Sequence, residues 1–168
     1  PMSISRTADL LVEGERPMAL VGGGLAWADA QGILLELAEL LGMPVAATWE
    51  NKGLISEDHP LSLGTVGDSL AHPGVKTLQQ ADILLAVGCT FEQFTTRHFG
   101  NQVIPRAARI IQVDIDPAEI GKIYPVTVGI VGDARSVLAD LVQEVKKRMV
   151  DRRPVEEFEG LAPGGRPP

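Results

Sequence analysis

Two kinds of residue in this chain are placed to hold a ligand: carboxylates at one strand-to-loop junction, and glycines that follow apolar runs. The junction is Ile110-Ile111-Gln112-Val113-Asp114-Ile115 running into Asp116-Pro117-Ala118-Glu119-Ile120-Gly121. Strand alternation puts Gln112, Asp114 and Asp116 on one face and Ile111, Val113 and Ile115 on the other. An ionised carboxylate only accepts hydrogen bonds, which suits the hydroxyls of a ribose. Asp116 also carries the signature of a helix N-cap, with Pro117 at the first helical position and Glu119 at the capping-box position. Asp116 is therefore foremost a cap, while Asp114 is open to either role, turn former or ligand contact.

The glycines raise the question of a phosphate. Met18-Ala19-Leu20-Val21 is a short apolar run that ends in Gly22-Gly23-Gly24, after which residues 26–41 show apolar spacing of helical period, closed by Gly42. Such a turn lets the backbone approach a ligand and aims N–H groups at an anion. Trp27 stands where the dinucleotide fingerprint has its third glycine, so a plain tight turn is the competing reading.

The remaining elements follow from pattern. Residues 4–13 suit a leading helix; Pro44-Val45-Ala46-Ala47-Thr48 suits a second strand and completes a right-handed βαβ unit. Residues 49–73 form a long polar connection containing Lys52-Gly53 and Gly64-Thr65-Val66-Gly67-Asp68, too long to be only a connector in a compact domain. Residues 75–80 look helical, and Asp82-Ile83-Leu84-Leu85-Ala86-Val87-Gly88 is a strand buried on both faces. Residues 126–131 give a further strand, and Asp133 starts a closing helix that reaches about Val150. Alternating strands and helices predict an α/β domain with a parallel sheet and helices on both faces. Its carboxyl rim would gather Gly22 to Gly24, Thr48, Gly64 to Gly67, Gly88 to Thr90, Asp114 to Asp116 and Asp133 around one crevice.

Composition narrows the functions. The chain has 168 residues, 45% hydrophobic and 4% aromatic, with net charge −7. This suits one domain with an aliphatic core. Nothing offers the basic surface that nucleic acid requires. No apolar stretch approaches the roughly 20 residues that span a bilayer, and a single cysteine fits a reducing, cytoplasmic setting. Close His or Cys pairs that would bind zinc are missing, as is a Ser or Cys nucleophile beside a His base. Glu50, Glu92, His98 and Cys89 identify no chemistry by themselves.

The order of motifs carries more. Arg16-Pro17, the triple glycine, Lys52-Gly53, Gly64 to Gly67, the Asp82-to-Gly88 strand, the Asp114-to-Gly121 junction and Gly132-Asp133 together resemble the central domain of thiamine-diphosphate-dependent enzymes of the acetolactate synthase and 2-oxo acid decarboxylase type. The resemblance covers residues 5–150, with 151–168 as linker or tail towards a C-terminal domain. It implies a Rossmann-like open sheet of about six strands. It further implies flanking catalytic domains that hold thiamine diphosphate and magnesium, a homo-oligomeric parent (dimer or tetramer), and lyase or transferase chemistry on 2-oxo acids. The Gly-Asp-Gly motif with paired asparagines that would bind thiamine diphosphate is not in this chain, where Gly67-Asp68 and Gly132-Asp133 continue as Ser69 and Ala134. In the acetolactate synthase branch the domain holds FAD, and in some relatives ADP. Matched by motif, Gly22, Gly23, Gly24, Thr48, Gly64, Gly67, Gly88, Asp114, Asp116, Glu119 and Asp133 would lie there. Thr90 and Phe94 stand where that branch carries arginines, and Thr65-Val66 where it carries Met-His. Two further readings stand beside it: a ligand-free structural and oligomerisation domain, and a free-standing NAD-dependent enzyme on the same fold.

Overall fold

A computed structural model describes residues 2–67 and 69–149. The expected tail at 151–168 lies outside the described residues. Six parallel strands form one sheet: β1 Pro17–Val21, β2 Val45–Thr48, β3 Ser62–Val66, β4 Ile83–Val87, β5 Arg109–Asp114 and β6 Val128–Val131. Their order is β3-β2-β1-β4-β5-β6. The chain therefore winds outward in one direction from β1 and in the other from β4, which opens a crevice where the two directions part.

Alternation along the strands sends side chains to two apolar layers. Ala19, Val21, Leu85, Val87, Ile111 and Val113 pack under helices α1 Met2–Glu13, α2 Gly23–Trp27, α3 Gln31–Leu41 and α6 Ala134–Met149. Met18, Leu20, Leu84, Ala86 and Ile110 face α4 Pro73–Gln80 and the loop residues Phe91, Val103, Ile104 and Tyr124. β4 is buried along its whole length, as its unbroken apolar run requires. A last short helix, α5 Gln93–Thr96, follows β4.

Three elements depart from the pattern reading. Residues 49–73, too long to be only a connector, contain a strand that their pattern does not announce: Ser62–Val66 is the edge strand β3. Gly64, at φ +69°, interrupts the alternation there, and the register against β2 shifts between Val45 and Ala47. The helix expected over residues 26–41 is two helices, with Asp29 at φ +47° between them. Arg135 of α6 donates to the carbonyls of Ala28 and Asp29 and pairs with the Asp29 carboxylate at 2.6 Å. Those carbonyls would otherwise accept bonds from the next helical turn, so a long-range contact ends α2. Finally, no helix follows Asp116; the segment after β5 is a series of turns.

The outer helix layer is tied by surface ion pairs, including Lys146–Glu36, Arg148–Asp9 and Arg148–Glu144. Lys147 and then Arg148, bonded to Glu144, hold its carboxyl down at about 2. That contribution is complete above the ordinary carboxylate range and fades as pH falls towards 2. No helix among the described residues is long and apolar enough to cross a membrane.

Two glycines separate close packing from simple turn making. A Cβ on Gly22 would meet the Gly88 carbonyl oxygen at 2.3 Å, whereas one on Gly32, inside α3, meets nothing within 4 Å. Gly22→Ala should cost roughly 1–3 kcal/mol through overpacking, while Gly32→Ala should gain up to about 1 kcal/mol of helix propensity. Urea midpoints of the two variants should therefore move in opposite directions.

Candidate functional site

The β1 and β4 turns meet at the point where the strand order reverses. The amides of Gly22 and Gly24 donate to the carbonyls of Val87 and Gly88, each at 3.1 Å. Gly88 has φ +54°, and a Cβ there would lie 2.4 Å from Gly24 Cα. Both outer glycines of the triple are thus required by backbone contact, and their N–H groups are committed to β4. This corrects the expectation that the turn aims several free amides at a phosphate. α2 is also only five residues long. Gly23 differs: a Cβ there would meet only the Asn51 side chain, at 3.4 Å.

A cleft of about 210 Å³ opens over this contact, lined by the triple glycine, Gly88, Trp27, Thr48, Asn51, Thr90 and Glu92. Thr48, at the end of β2, is buried and accepts a 2.7 Å bond from Asn51 Nδ2. Thr90 donates to Glu92 at 3.3 Å. Thr90 lines the cleft, as its place at the end of the Gly88 strand suggests, whereas Asn51 is unforeseen: its sequence signal is its place three residues after Thr48, where a short 3₁₀ turn, Trp49–Asn51, folds it back. Among the described residues no cationic side chain lines this cleft.

The other predicted residues stand apart from it. Gly64 sits in the β3 irregularity, and Gly67, at φ +132°, packs against the backbone of Phe94 and Thr95. Asp133 caps α6, accepting from the Ser136 amide and hydroxyl, both at 2.9 Å. Those bonds hold its carboxyl below the usual range. It acts as the cap that its position before the last helix suggested.

The acidic junction is organised by Gln112. Its Nε2 donates to the carbonyls of Glu119 at 3.0 Å and Cys89 at 3.3 Å, and its Oε1 accepts from Gly121 at 2.9 Å. One buried amide thereby fastens the turns after β5 to the loop after β4. Asp114, also buried, accepts from the Asp116 amide, and Asp116 accepts from the Ala118 amide. The Asp116 amide is thus taken by Asp114, so the expected capping box with Glu119 is not formed. Glu119 pairs instead with Lys122 at 2.7 Å, and its Oε2 is buried without a partner. Ile115, predicted on the apolar face, is 73% exposed because the strand ends one residue earlier.

Cys89 closes the β4 end. Burial pushes its thiol up to about 12; the Phe91 amide opposes this, and the charges of Asp114, Glu92 and Glu50 add to it. The thiol stays neutral and unreactive. The histidines have structural partners: His59 meets Glu39 at 3.1 Å, His72 caps α4, and His98 meets Gln93 at 2.7 Å.

With this geometry in view, the family model described as thiamine pyrophosphate enzyme, central domain, matches residues 4–141. This chain belongs to that family. The central domain is 43% identical over 145 residues to a probable acetolactate synthase large subunit of Methanocaldococcus jannaschii, covering 84% of this chain and 24% of that relative. It is 39% identical over 155 residues to the acetolactate synthase large subunit of Corynebacterium glutamicum, covering 92% of the chain and 24% of the relative. Glyoxylate carboligase of Escherichia coli O157:H7 is 36% identical over 151 residues, covering 87% and 25%. Among solved structures, a Mycobacterium smegmatis protein assigned as a thiamin diphosphate-dependent enzyme superposes with TM-score 0.72 at 25% identity, covering 94% of this chain and 30% of that one. The chain thus spans about a quarter of the length of the curated relatives it matches.

Gln112→Leu tests the junction of the central domain. It keeps the volume but strands the Gly121 amide and the Glu119 carbonyl, which should cost about 1–3 kcal/mol. Hydrogen exchange at Gly121 should accelerate more than exchange in β1.

Proposed function

We propose that this chain is the non-catalytic central domain of a thiamine-diphosphate- and magnesium-dependent enzyme of the acetolactate synthase type. The parent would be a homo-oligomeric, cytoplasmic lyase or transferase acting on 2-oxo acids. The observation that carries this reading is the match of one continuous segment, residues 4–141, to the central domain alone, while three quarters of each relative lies outside it.

The site chemistry supports a supporting role. The described residues include no group of His, Cys, Asp or Glu that could hold a metal ion, so magnesium does not fit here. Thiamine diphosphate would belong to the flanking domains. Bound there, it would supply the carbanion stabilisation that chemistry on 2-oxo acids needs. This domain's own residues would hold the shape: the glycine contact joins the two halves of the sheet, and Gln112 fixes the loops at its rim.

FAD and ADP fit the cleft poorly. Its volume of about 210 Å³ is below the ~300–1,000 Å³ of sites that bury ligands of that size. Glu92 stands in the wall with no cation opposite, and a diphosphate gains its affinity from charge-assisted donors. We therefore favour the ligand-free structural reading of the cleft, and the glycines, Thr48, Asp114, Asp116, Glu119 and Asp133 as packing and turn residues.

The reading is checked by assaying the full polypeptide encoded by the gene for 2-oxo acid consumption. Turnover should require added thiamine diphosphate and stop when magnesium is chelated. Residues 1–168 alone should show none. Release of nicotinamide from NAD by residues 1–168 would favour the free-standing enzyme instead and overturn this reading.

A further inference from the structure

Two His-Pro pairs bracket the edge strand β3: His59-Pro60 precedes it and His72-Pro73 follows it. A proline holds the residue before it in extended backbone and has no N–H of its own. The first amide that a ring in that place can reach lies two residues on, and both rings reach it. His59 Nδ1 accepts from the Leu61 amide and His72 Nδ1 from the Gly74 amide, each at 3.2 Å. The first bond shapes the turn into β3, where the Leu61 carbonyl goes on to take the Val45 amide of β2. The second caps α4, whose buried Val75 and Leu78 pack in one apolar cluster with Leu63 and Val66 of β3. A Cβ on Gly74 would meet Val66 Cγ1 at 3.1 Å, so the capped turn lies directly on the strand.

An imidazole accepts at Nδ1 only while it is neutral. At His59 the other nitrogen shows where the proton sits, because Nε2 lies 3.1 Å from Glu39 of α3, and a carboxylate only accepts. We propose that β3 and the start of α4 form an acid-released flap at the edge of the sheet, with His59 and His72 as its two catches. Histidine ordinarily changes charge between roughly pH 5 and 8. A second proton turns Nδ1 into a donor facing an amide donor, and both turns lose their bond. The opened segment binds protons that the closed one excludes, so the flap loses stability as pH falls.

The carboxylates beside the rings act in the opposite sense. Glu39 and the adjoining Asp58 favour a charged His59, and Glu57 Oε1 and His72 Nε2 each lie 3.9 Å from where a Cβ on Gly64 would stand. Solvent weakens these contacts, since the Glu39 and Glu57 side chains are 63% and 52% exposed, and Glu57 is already paired with Lys52 at 3.2 Å. The lost bond weighs more, because Gly74 is buried and its amide is left facing another donor. β3 has β2 as its one neighbour, so no second ladder holds it when the catches open. The opening reaches the loop after β4, where Gly67 packs on the backbone of Phe94 and Thr95.

Hydrogen exchange read by mass spectrometry on the full polypeptide encoded by the gene tests this, with exchange in each peptide divided by its intrinsic rate at the same pH. From about pH 7.5 to about pH 5.5, protection over residues 61–66 and 74–80 should fall roughly tenfold, while protection of β1 and β4 holds. His59→Asn and His72→Asn keep a side-chain oxygen that can accept from the same amides but does not titrate. In the double variant protection should stay level across that range. Protection of β3 and α4 that does not change in the unaltered protein, or that falls equally in β1 and β4, would overturn the proposal. A fall that persists in the double variant would do so too; the unaltered protein decides by itself where a variant does not fold.

Discussion

The close approach of two backbone turns holds this domain together at its functional edge. The amides of Gly22 and Gly24 bond the end of β4, and Gly88 lies so near Gly24 that neither position has room for a Cβ. Parallel sheets that wind outward from two adjacent central strands leave a crevice between them, and that crevice is where such folds hold ligands. Here the crevice floor is closed by backbone. What remains above it is a small cleft with hydroxyl, amide and carboxylate walls. The same glycines that suggest a phosphate loop in the sequence are consumed in joining the two halves of the sheet.

The junction after β5 shows a similar economy. Gln112 is buried in the sheet yet carries three polar contacts that run to two different loops. Such a residue must be fully satisfied to be tolerated, and a satisfied buried amide specifies loop position better than an apolar side chain can. Asp114 and Asp116 each hold a backbone amide two residues ahead, so the acids shape turns in succession. Cys89, under the same loops, is kept neutral by burial first and by the charges of Asp114, Glu92 and Glu50 beside it. Carboxylates of Glu92, Asp114 and Asp116 stand at this rim, and Trp27, Trp49 and Phe94 are exposed near it.

Much of this was legible in the sequence. The apolar runs at Met18, Val45, Ile83 and Ile110 are buried strands, that at Val128 is a half-buried edge strand, and alternation placed Gln112 and Asp114 on one face. The family resemblance also holds. What escaped was decided by contacts far along the chain. β3 was hidden because Gly64 breaks its alternation and only one neighbour pairs with it. The break at Asp29 has no glycine or proline to announce it; Arg135, more than a hundred residues later, takes the carbonyls. Asp116 carries a cap signature, but Gln112 claims the Glu119 carbonyl and the Gly121 amide, and the segment stays in turns. Asn51 reached the cleft through a 3₁₀ turn that no periodicity reveals.

The central claim is that backbone contact, rather than a bound dinucleotide, occupies the switch point of the sheet. Titration calorimetry of the purified chain with FAD and with ADP tests it most directly. The account predicts no saturable heat with either ligand up to about 1 mM, a binding free energy weaker than roughly −4 kcal/mol. A stoichiometric isotherm at about 1 μM or tighter would contradict it.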